Sequence, residues 1–439
     1  MFNLNINQEL TAELLQKIIN RFVLNVQPKL IKWQDYYNGN HAILRKTYKD
    51  KDKVCNRIVT NFCKVITDTY SGYIAGKSIS YSSNDDIEAI QDTLNYNDSA
   101  AADMAFLRNA LIYNTAYELM WIDEYAQTRY AQVNPVNAFC IYDDSLNEKL
   151  LYFVRFFEID NFDNTTKYIV QVYSDKTVKT YECTSIGGAL SFINEEYHYF
   201  GDVPVSVFKL NESDDNIFNS IISLNDAYNE IQSCQIDDYS AFCDAYLTLA
   251  GMDIDKETVA QMREDRILVL PENGKAEWMT KNSSDVPVVN ILENIKKNIF
   301  KVSAAPDMAD DNFMAQAGVA IAYKLCSFEN VSSGIVANFT KALQRRIELI
   351  CNVISLKGDS TWRDIQINFV RNLPQNITET IQLINSLKGT VSDATLLSQL
   401  PFIKDVESEL EAVQAQKEAN MALFDFGGNT EDNDNEDVA

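Results

Sequence analysis

Apolar residues recur at helical spacing through the N-terminal part of the chain, as in the run that begins at Leu10. Pro28 interrupts that run, so we predict one helix before it and a second short helix over 31–37. The same spacing predicts a helix over 58–70 and more helix over 85–115. This part of the chain is therefore predicted to be mainly helical.

Between Ala116 and Phe208 the pattern changes to short runs of β-branched and aromatic residues, separated by Asp, Asn and Ser. The runs are YELMWID, RYAQV, FCIYDD, LLYFVRFF, KYIVQVYS, TVKTYE and VPVSVF. Their hairpin-like spacing is typical of an antiparallel meander. Together with the preceding helices, they predict an α+β fold for this region.

A long helix is predicted next, because apolar residues keep helical spacing from Ile217 to Tyr246. About 30 residues at 1.5 Å each give a length of about 45 Å. Asp214 or Asp215 is expected to cap its start. A helix of this length needs a neighbour along its whole length, from its own chain or another one.

A small α/β insertion is predicted over 248–287, with a short polar helix, the strands RILVLP and KAEWMT, and a turn between them. A second helix is predicted from about Val288 to Val302, and it ends before Pro306. Two helices therefore flank a compact insertion.

The stretch DDNFMAQAGVAIAYKL, residues 310–325, begins with acids and continues with Ala and Gly. A buried helix usually presents larger apolar residues, so this slim helix is expected to pack closely against something else. Its continuation has a large apolar stripe up to Ile354, and Ser332-Ser333-Gly334 is a group at which long helices kink.

The C-terminal part begins with a predicted strand, DIQINFV, before Pro374. Helices are predicted over 377–423, one of them capped by Ser392. The segment 425–439 is acidic and lacks apolar anchors, so we predict that it is disordered.

Composition limits the function classes. The formal net charge of -25 argues against a protein that coats nucleic acid with a basic surface, although not against one that surrounds a duplex without gripping it. The 8 cysteines form no CxxC pair, which is typical of reduced thiols rather than of disulfides or a zinc site. With no signal peptide and no run of ~18 apolar residues, the sequence predicts a soluble protein made inside the cell, without a membrane partner.

The sequence offers little material for catalysis. Its 2 histidines, His41 and His198, are expected to be satisfied surface or partly buried side chains rather than catalytic or metal-binding ones. No nucleotide-binding, GxSxG or HExxH motif occurs, so we predict no enzyme, no cofactor and no metal.

Two charged groups leave alternatives open. Asp307, Asp310 and Asp311 are the best carboxylates for a divalent cation, but acids also cap and favour the start of a helix. The basic loop over 45–57 can contact phosphate or be a solvated, charged loop.

Several stretches resemble the portal (connector) proteins of tailed bacteriophages, specifically the long-tailed siphophage type. The stretches are WQDYYNGNHAILR, NRIVTNFCKVITDTYSGYIAGKSISYSS, AYELMWIDE, VNPVNAFCIYDD, FGDVPVSVFKLNES, DNFMAQAGVAIAYKLCSFEN and FVRNLPQNITETIQLINSLKGTVSDATLLSQLPFIKDVESELE. The motifs are individually modest, but they follow the family's order over nearly the whole chain.

The resemblance implies a portal fold with an α/β wing, long stem helices, a small α/β clip, a kinked tunnel helix and a helical crown. The implied regions are the wing (1–210), stem helix (211–247), clip (248–287), second stem helix (288–303), tunnel loop and tunnel helix (304–355), remaining wing strand and crown (356–424), and acidic tail (425–439).

The resemblance also implies a function. The expected assembly is a ring of twelve subunits at one capsid vertex, through which viral DNA is packaged and ejected. The implied partners are other copies of the chain, double-stranded DNA, the terminase packaging motor, a head-completion adaptor, and the major capsid and scaffolding proteins. The protein is expected to be made in the host cytoplasm and to reside in the virion.

Candidate functional residues follow from these regions. The predicted contacts with DNA are Asn312, Phe313, Met314, Gln316, Lys324, Lys296 and Lys297, with Lys301 as a further candidate. The lysines can instead pair with acids of an adjacent subunit. Asp310 and Asp311 are predicted to cap the tunnel helix, and the predicted motor and adaptor contacts are Glu264, Asp265, Arg266, Trp278 and Met279. Trp278, Met279 and the strand from Ile267 to Leu270 are also expected to pair between subunits.

Two other functions remain open on the sequence alone. The chain can be a different ring or shell component, such as a minor capsid or adaptor protein, which shares the acidity but lacks the two helices around an insertion. It can also be a metal-dependent hydrolase that uses Asp307, Asp310 and Asp311.

Overall fold

The computed structural model describes residues 2–5, 8–48, 54–83, 85–160, 166–243, 247–250, 275–278, 285–309, 318–354, 361–372, 384–397, 406, 409–410 and 412–417. The chain divides into two compact units, Met1–Asn372 and Leu373–Ala439.

The first unit contains both helices and strands, as expected for an α+β protein. Its helices are α1 (Ala12–Asn25), α2 (Gln27–Asn38), α3 (Phe62–Ala75), α4 (Glu88–Tyr96), α5 (Ser99–Tyr113), α6 (Ile222–Cys243), α7 (Asp285–Ser303) and α8 (Gly318–Ile354). Its strands are β1 (Phe2–Leu4), β2 (Ser80–Ser82), β3 (Thr115–Ile122), β4 (Thr128–Val133), β5 (Ala138–Asp143), β6 (Leu150–Asp160), β7 (Thr166–Tyr173), β8 (Thr177–Cys183), β9 (Ser191–Tyr197), β10 (Val205–Lys209), β11 (Leu247–Ala250), β12 (Lys275–Trp278) and β13 (Gln366–Asn368).

The strands of the β-rich region divide between two sheets. One has the order β1-β5-β6-β7-β8-β9, and its last five strands form an antiparallel meander in which β5 to β8 match predicted runs, whereas β9 was not predicted. The other has the order β10-β3-β4, so the first two β-rich runs and the last one leave the meander. β1 pairs in parallel with β5, a contact between distant residues that local pattern does not reveal.

Helix boundaries differ from the prediction where polar side chains bind backbone groups. Helix α3 begins at Phe62 rather than 58, because Asn61 caps it by accepting a hydrogen bond from the backbone N–H of Lys64 at 2.9 Å. The 85–115 helix is interrupted at Asp98, which adopts a left-handed conformation with φ 49°. Pro28 lies in the first turn of α2, where proline is tolerated, so the predicted break is confirmed.

The long helix α6 is shorter than predicted at its N-terminal end. It begins at Ile222, and Asp214 has a left-handed backbone with φ 55°, so neither Asp214 nor Asp215 caps it. Asn216 holds this segment outside the helix, because its side chain donates to the carbonyl of Ile112 and accepts from the N–H of Phe218.

Helix α8 crosses the core of the first unit and remains helical through Ser332-Ser333-Gly334, without a break at the predicted kink. Its Phe339 ring stacks on Phe208 of β10 at 4.8 Å and meets Phe106 of α5 edge-on at 6.0 Å. On the six-stranded sheet, Phe22 of α1 stacks on Phe139 at 5.0 Å. Aromatic burial of this kind is a large stabilising term.

In the second unit, α9 (Asp393–Leu397) follows the predicted cap. The hydroxyl of Ser392 accepts a hydrogen bond from the N–H of Thr395 at 3.4 Å, so this N-cap is confirmed. The tail over 425–439 lies outside the described residues.

Candidate functional site

Helices α6 and α7, hereafter the stem pair, lie against each other and against α3. Phe62 of α3 meets Tyr228 of α6 edge-on at 5.0 Å and Phe300 of α7 edge-on at 5.9 Å. Tyr70 donates from its hydroxyl to the carbonyl of Ser303 at 2.9 Å. The end of α7 is thus attached to a buried part of the unit.

A stripe of buried polar side chains attaches α6 to the extended segment 54–61. Asn225, Asn229, Ser233 and Asp237, hereafter the polar ladder, follow each other at intervals of four residues. They accept hydrogen bonds from alternate backbone N–H groups, those of Phe62 (3.1 Å), Thr60 (2.8 Å), Ile58 (3.0 Å) and Asn56 (2.6 Å).

The polar ladder can form because four residues of the helix and two residues of the extended segment cover nearly the same distance. Four residues of helix advance about 6 Å, and two residues of extended chain advance about 6.6 Å. Each rung therefore meets the next inward N–H of the extended segment. These buried or partly buried donors need partners, and the ladder provides them, since no strand in the described ranges pairs with this segment.

His41 completes the second rung; both its ring nitrogens have partners, as predicted, but the side chain is fully buried rather than at the surface or partly buried. Its ring is fully buried, with Nε2 3.0 Å from the carbonyl of Tyr36 and Nδ1 3.1 Å from the amide nitrogen of Asn229. A carbonyl only accepts, so Nε2 carries the proton and Nδ1 accepts from Asn229. Burial lowers the pKa of His41, which keeps the ring neutral.

Within the described part of the basic loop, Lys46 and Arg57 are held by the protein, whereas the Arg45 side chain is 82% exposed. Lys46 lies 3.0 Å from the Glu230 carboxylate and 3.9 Å from that of Asp237, and its side chain is only 11% exposed. Arg57 donates from Nε to the carbonyl of Lys46 at 3.0 Å. Lys49, Lys51 and Lys53 lie outside the described residues.

The predicted lysines of α7 differ in their surroundings. Lys296 forms an ion pair with Asp307 of the same chain at 2.7 Å. Lys297 and Lys301 are exposed and one helical turn apart. Lys324 lies in the second turn of α8. Lys296 is thus partly engaged within the chain, whereas Lys297 and Lys301 face outward.

Asp307 is engaged in this ion pair and also accepts from the N–H of Ala309 at 3.2 Å. Among the described residues no group of three His, Cys, Asp or Glu side chains is arranged to hold a metal ion. Asp310 and Asp311, which complete the predicted carboxylate cluster, lie outside them.

Most of the other predicted site residues also lie outside the described part of the chain. They are Asn312, Phe313, Met314, Gln316, Glu264, Asp265, Arg266, Met279 and the strand from Ile267 to Leu270. Trp278 ends β12, and its position pairs with Leu247 of β11 in the same chain. This short antiparallel pair of strands joins the start of the insertion, at Leu247–Ala250, to Lys275–Trp278.

The stem pair exposes large apolar side chains. On α7, exposure is 69% for Val286, 45% for Val289, 48% for Ile291 and 52% for Val302. On α6, Tyr239 is 71% exposed. At 100° per residue, Ile291 and Val302 lie within about 20° of each other, while Val289 lies about 160° away.

The exposed side of α7 therefore has two apolar flanks. Lys297 and Lys301 lie between these flanks on the exposed arc, and the buried Ile299 lies on the opposite arc. Val286, in the first turn of the helix, also lies on this arc, so the strip is polar only from the second turn onward. This arrangement fits a helix that has one neighbour on each side and a mainly polar strip between them.

A buried ionic cluster that sequence reasoning missed connects α8 to α5 and β3. Arg346 is fully buried and binds Glu118 through two hydrogen bonds, of 2.5 and 2.8 Å, and also binds Asp103. Burial raises the pKa of Glu118, although the charge of Arg346 opposes this. The partners are 228 and 243 residues from Arg346 in the sequence, so no local motif marks the cluster.

The described cysteines are free thiols, and burial raises the pKa of Cys63 and Cys140. No helix in the described ranges has both the length and the apolar character needed to cross a bilayer.

Comparison with known proteins agrees with this arrangement. A family model described as phage portal protein, SPP1 Gp6-like, matches residues 17–422. The portal protein of Bacillus phage SPP1 is 23% identical in an alignment 470 positions long, gaps included, which covers 94% of this chain and 89% of that protein. The portal protein of Clostridium phage phiCD119 is 22% identical over 440 residues, which cover 92% of this chain and 96% of that protein. Because the match extends over most of the sequence, this chain belongs to the SPP1 Gp6-like family of phage portal proteins.

Proposed function

We propose that twelve copies of this portal protein form a closed ring around an axial channel that carries double-stranded DNA. As a portal protein, the chain is a structural, non-enzymatic part of the phage capsid that acts in DNA packaging and connects head to tail. The metal-dependent hydrolase and the other shell components considered above are therefore set aside.

The two apolar flanks of α7 carry the proposal. Val289 and Ile291 are about half exposed in the single chain and lie on opposite sides of the helix. In a head-to-tail ring each subunit contacts its two neighbours through two different surfaces. Copies of the stem pair placed side by side therefore cover both flanks and remove their apolar area from water.

The strip between the flanks then faces the channel or the outside of the ring. We assign it to the channel, with Lys297 and Lys301 as sparse cationic contacts and Lys324 as a further one. Each phosphate contact adds to a retained, salt-dependent attachment, so a wall with few cations lets DNA slide. The formal charge of -25 per chain supports this assignment.

The tunnel loop is proposed to contact the duplex through uncharged side chains. Asn312, Phe313, Met314 and Gln316 offer flexible or weakly binding groups after the proposed caps Asp310 and Asp311. Replacing Asn312 and Gln316 with lysine is expected to slow packaging at low salt while rings still assemble, and the defect should ease as salt rises. Packaging at the unmodified rate at low salt contradicts this assignment.

The clip, 248–287, is proposed to dock the terminase motor and later the head-completion adaptor. The pairing of β11 with β12 closes a loop in the sequence between the two stem helices, which supports a projecting unit. Glu264, Asp265, Arg266, Trp278 and Met279 are the proposed contacts. Replacing 255–266 with a neutral linker should preserve the ring and reduce motor-driven packaging; unchanged packaging rules the assignment out.

The other proposed partners follow from the portal's place in the phage capsid. The major capsid and scaffolding proteins are proposed to surround the ring during assembly in the host cytoplasm. The direct test of the ring is native mass spectrometry of the purified chain. Twelve copies of 49.9 kDa give a particle of about 600 kDa. A monomer at micromolar concentration contradicts the proposal.

A further inference from the structure

The outer edge of β9 has the features of a docking site for another protein strand. β9 is the last strand of the six-stranded sheet, and no strand in the described ranges pairs with its outer edge. None of its seven residues is buried, unlike those of the inner strands. An open strand edge is a template for pairing unless something covers it.

The register shows which backbone groups are available. His198 donates its N–H to the carbonyl of Lys176 at 3.0 Å, and Thr177 lies opposite Tyr197. In an antiparallel pair, hydrogen-bonded and non-hydrogen-bonded positions alternate. The backbone groups of Glu195 and Tyr197 therefore point away from β8, toward the open side.

The side chains of β9 itself are apolar and acidic, and the nearest cation on β8, Lys179, lies 4.0 Å from Glu195. Exposure is 57% for Phe192, 77% for Tyr197 and 76% for Tyr199. Glu195 and Glu196 are the charged residues of β9, and the segment 191–199 contains no lysine or arginine. Large exposed aromatic side chains on a strand edge are typical of interaction surfaces.

The chemistry distinguishes between occupants. A second copy of β9 paired antiparallel would bring the acidic residues of the two strands together, which is destabilising. The opposite edge, β1, has only three residues and carries no basic side chain. DNA is disfavoured by the acidic charge.

We propose that β9 binds an extended, lysine- or arginine-bearing strand of another capsid protein, which adds to the six-stranded sheet as a seventh strand. Backbone hydrogen bonds to Glu195 and Tyr197 supply the register, and the two glutamates select the basic partner. The choice of a capsid protein rests on the portal's place in the capsid, whereas the binding site itself depends on neither the ring nor the channel.

The test uses a fluorescently labelled peptide, TVKVKVKVT, titrated against the full chain, with TVEVEVEVT as the matched acidic probe. We expect the basic peptide to bind at least about tenfold more tightly than the acidic one. Equal affinities overturn the proposal. Amide exchange should slow at Glu195 and Tyr197 when the basic peptide is bound, and protection elsewhere without protection of β9 also overturns it.

A proline substitution separates edge pairing from general attraction. Glu195→Pro removes an N–H that points to the open side, a position where an edge strand tolerates proline. It should weaken binding at least about tenfold, whereas Glu195→Gln with Glu196→Gln should weaken it less and reduce its salt dependence. Unchanged binding by the proline variant contradicts the proposal. A basic peptide N-methylated at alternate residues, tested on the unmodified chain, gives the same answer if that variant misfolds: full binding overturns strand addition.

Discussion

The region around the two sheets and the stem pair bury their apolar residues in different ways. In the sheet region, rings such as Phe22, Phe139 and Phe339 are enclosed by their own chain. In the stem pair, Val289 and Ile291 remain about half exposed. The core of the first region is thus enclosed within one subunit, whereas we propose that neighbouring subunits cover the flanks of the second. A ring-forming chain of this kind can therefore fold as a single subunit before it associates, and cover its remaining apolar surface when the subunits assemble.

The largest expected effect is a loss of stability in the sheet region. Arg346→Ala leaves Asp103 and Glu118 as buried carboxylates without their counter-ion, which should cost about 3–5 kcal/mol of unfolding free energy. Urea unfolding followed by circular dichroism measures this loss. Arg345→Ala is the control, because Arg345 is 23% exposed and its ion pairs with Asp202 and Glu348 lie near the surface. If both variants lose the same unfolding free energy, the buried cluster contributes no more to stability than the ion pairs near the surface.

The next effect concerns the stem flanks. Val289→Asp combined with Ile291→Asp places a charge on each apolar flank, so ring formation should weaken by at least about tenfold while the unfolding free energy of the single chain changes little. Analytical ultracentrifugation over a range of concentrations measures the assembly. Asn290→Asp adds a charge between the flanks, where the side chain is exposed, and should leave the ring intact.

A smaller effect should separate the polar ladder from the outer surface of the same helix. Ser233 is fully buried and accepts from the N–H of Ile58, whereas Ser223 is exposed. Ser233→Ala leaves that N–H without its partner and should cost about 1–3 kcal/mol. Ser223→Ala shares the change in helix propensity, so the difference between the two variants isolates the rung. Thermal unfolding gives both values, and equal shifts contradict the role of the ladder.

The smallest effect is a pH dependence at the end of the ladder. Burial alone would raise the pKa of Asp237, but hydrogen bonds from the backbone and side chain of Asn56 and the hydroxyl of Tyr48 lower it overall. A lowered carboxyl pKa stabilises the folded state above its unfolded value of about 3.9, and this contribution is lost as the pH falls through the folded pKa. When the pH is lowered from about 6 to about 3, the melting temperature of Asp237→Asn should therefore fall less than that of the unmodified chain. Identical profiles exclude the contribution.

Sequence patterns predicted the elements whose cause is local. Alternating apolar residues revealed β5 to β8, and Pro28 and Ser392 marked helix starts correctly. Contacts between distant segments were not predictable in this way, as with β1 on β5. The spacing of four residues from Asn225 to Asp237 was a visible signal of the ladder, but only the extended segment beside it explains why these residues are polar.

The candidate site was predictable as a pair of helices around an insertion, but not in its details. Lys296 and Lys297 are adjacent in sequence, and yet one is paired with Asp307 and the other is exposed, because neighbouring helix positions differ by about 100°. The Arg346 cluster required residues from three elements, which only the folded chain brings together.

The most direct test of the difference between the two regions is hydrogen exchange of the assembled ring compared with the dissociated Val289→Asp, Ile291→Asp chain. Amides of α7 and of the second half of α6 should exchange markedly more slowly in the ring, because neighbouring subunits cover them. Amides of β6 and β7, enclosed within one subunit, should exchange at the same rate in both. If β6 and β7 gain as much protection as α7, or if α7 gains none, the stem pair is not the part of the chain that assembly completes.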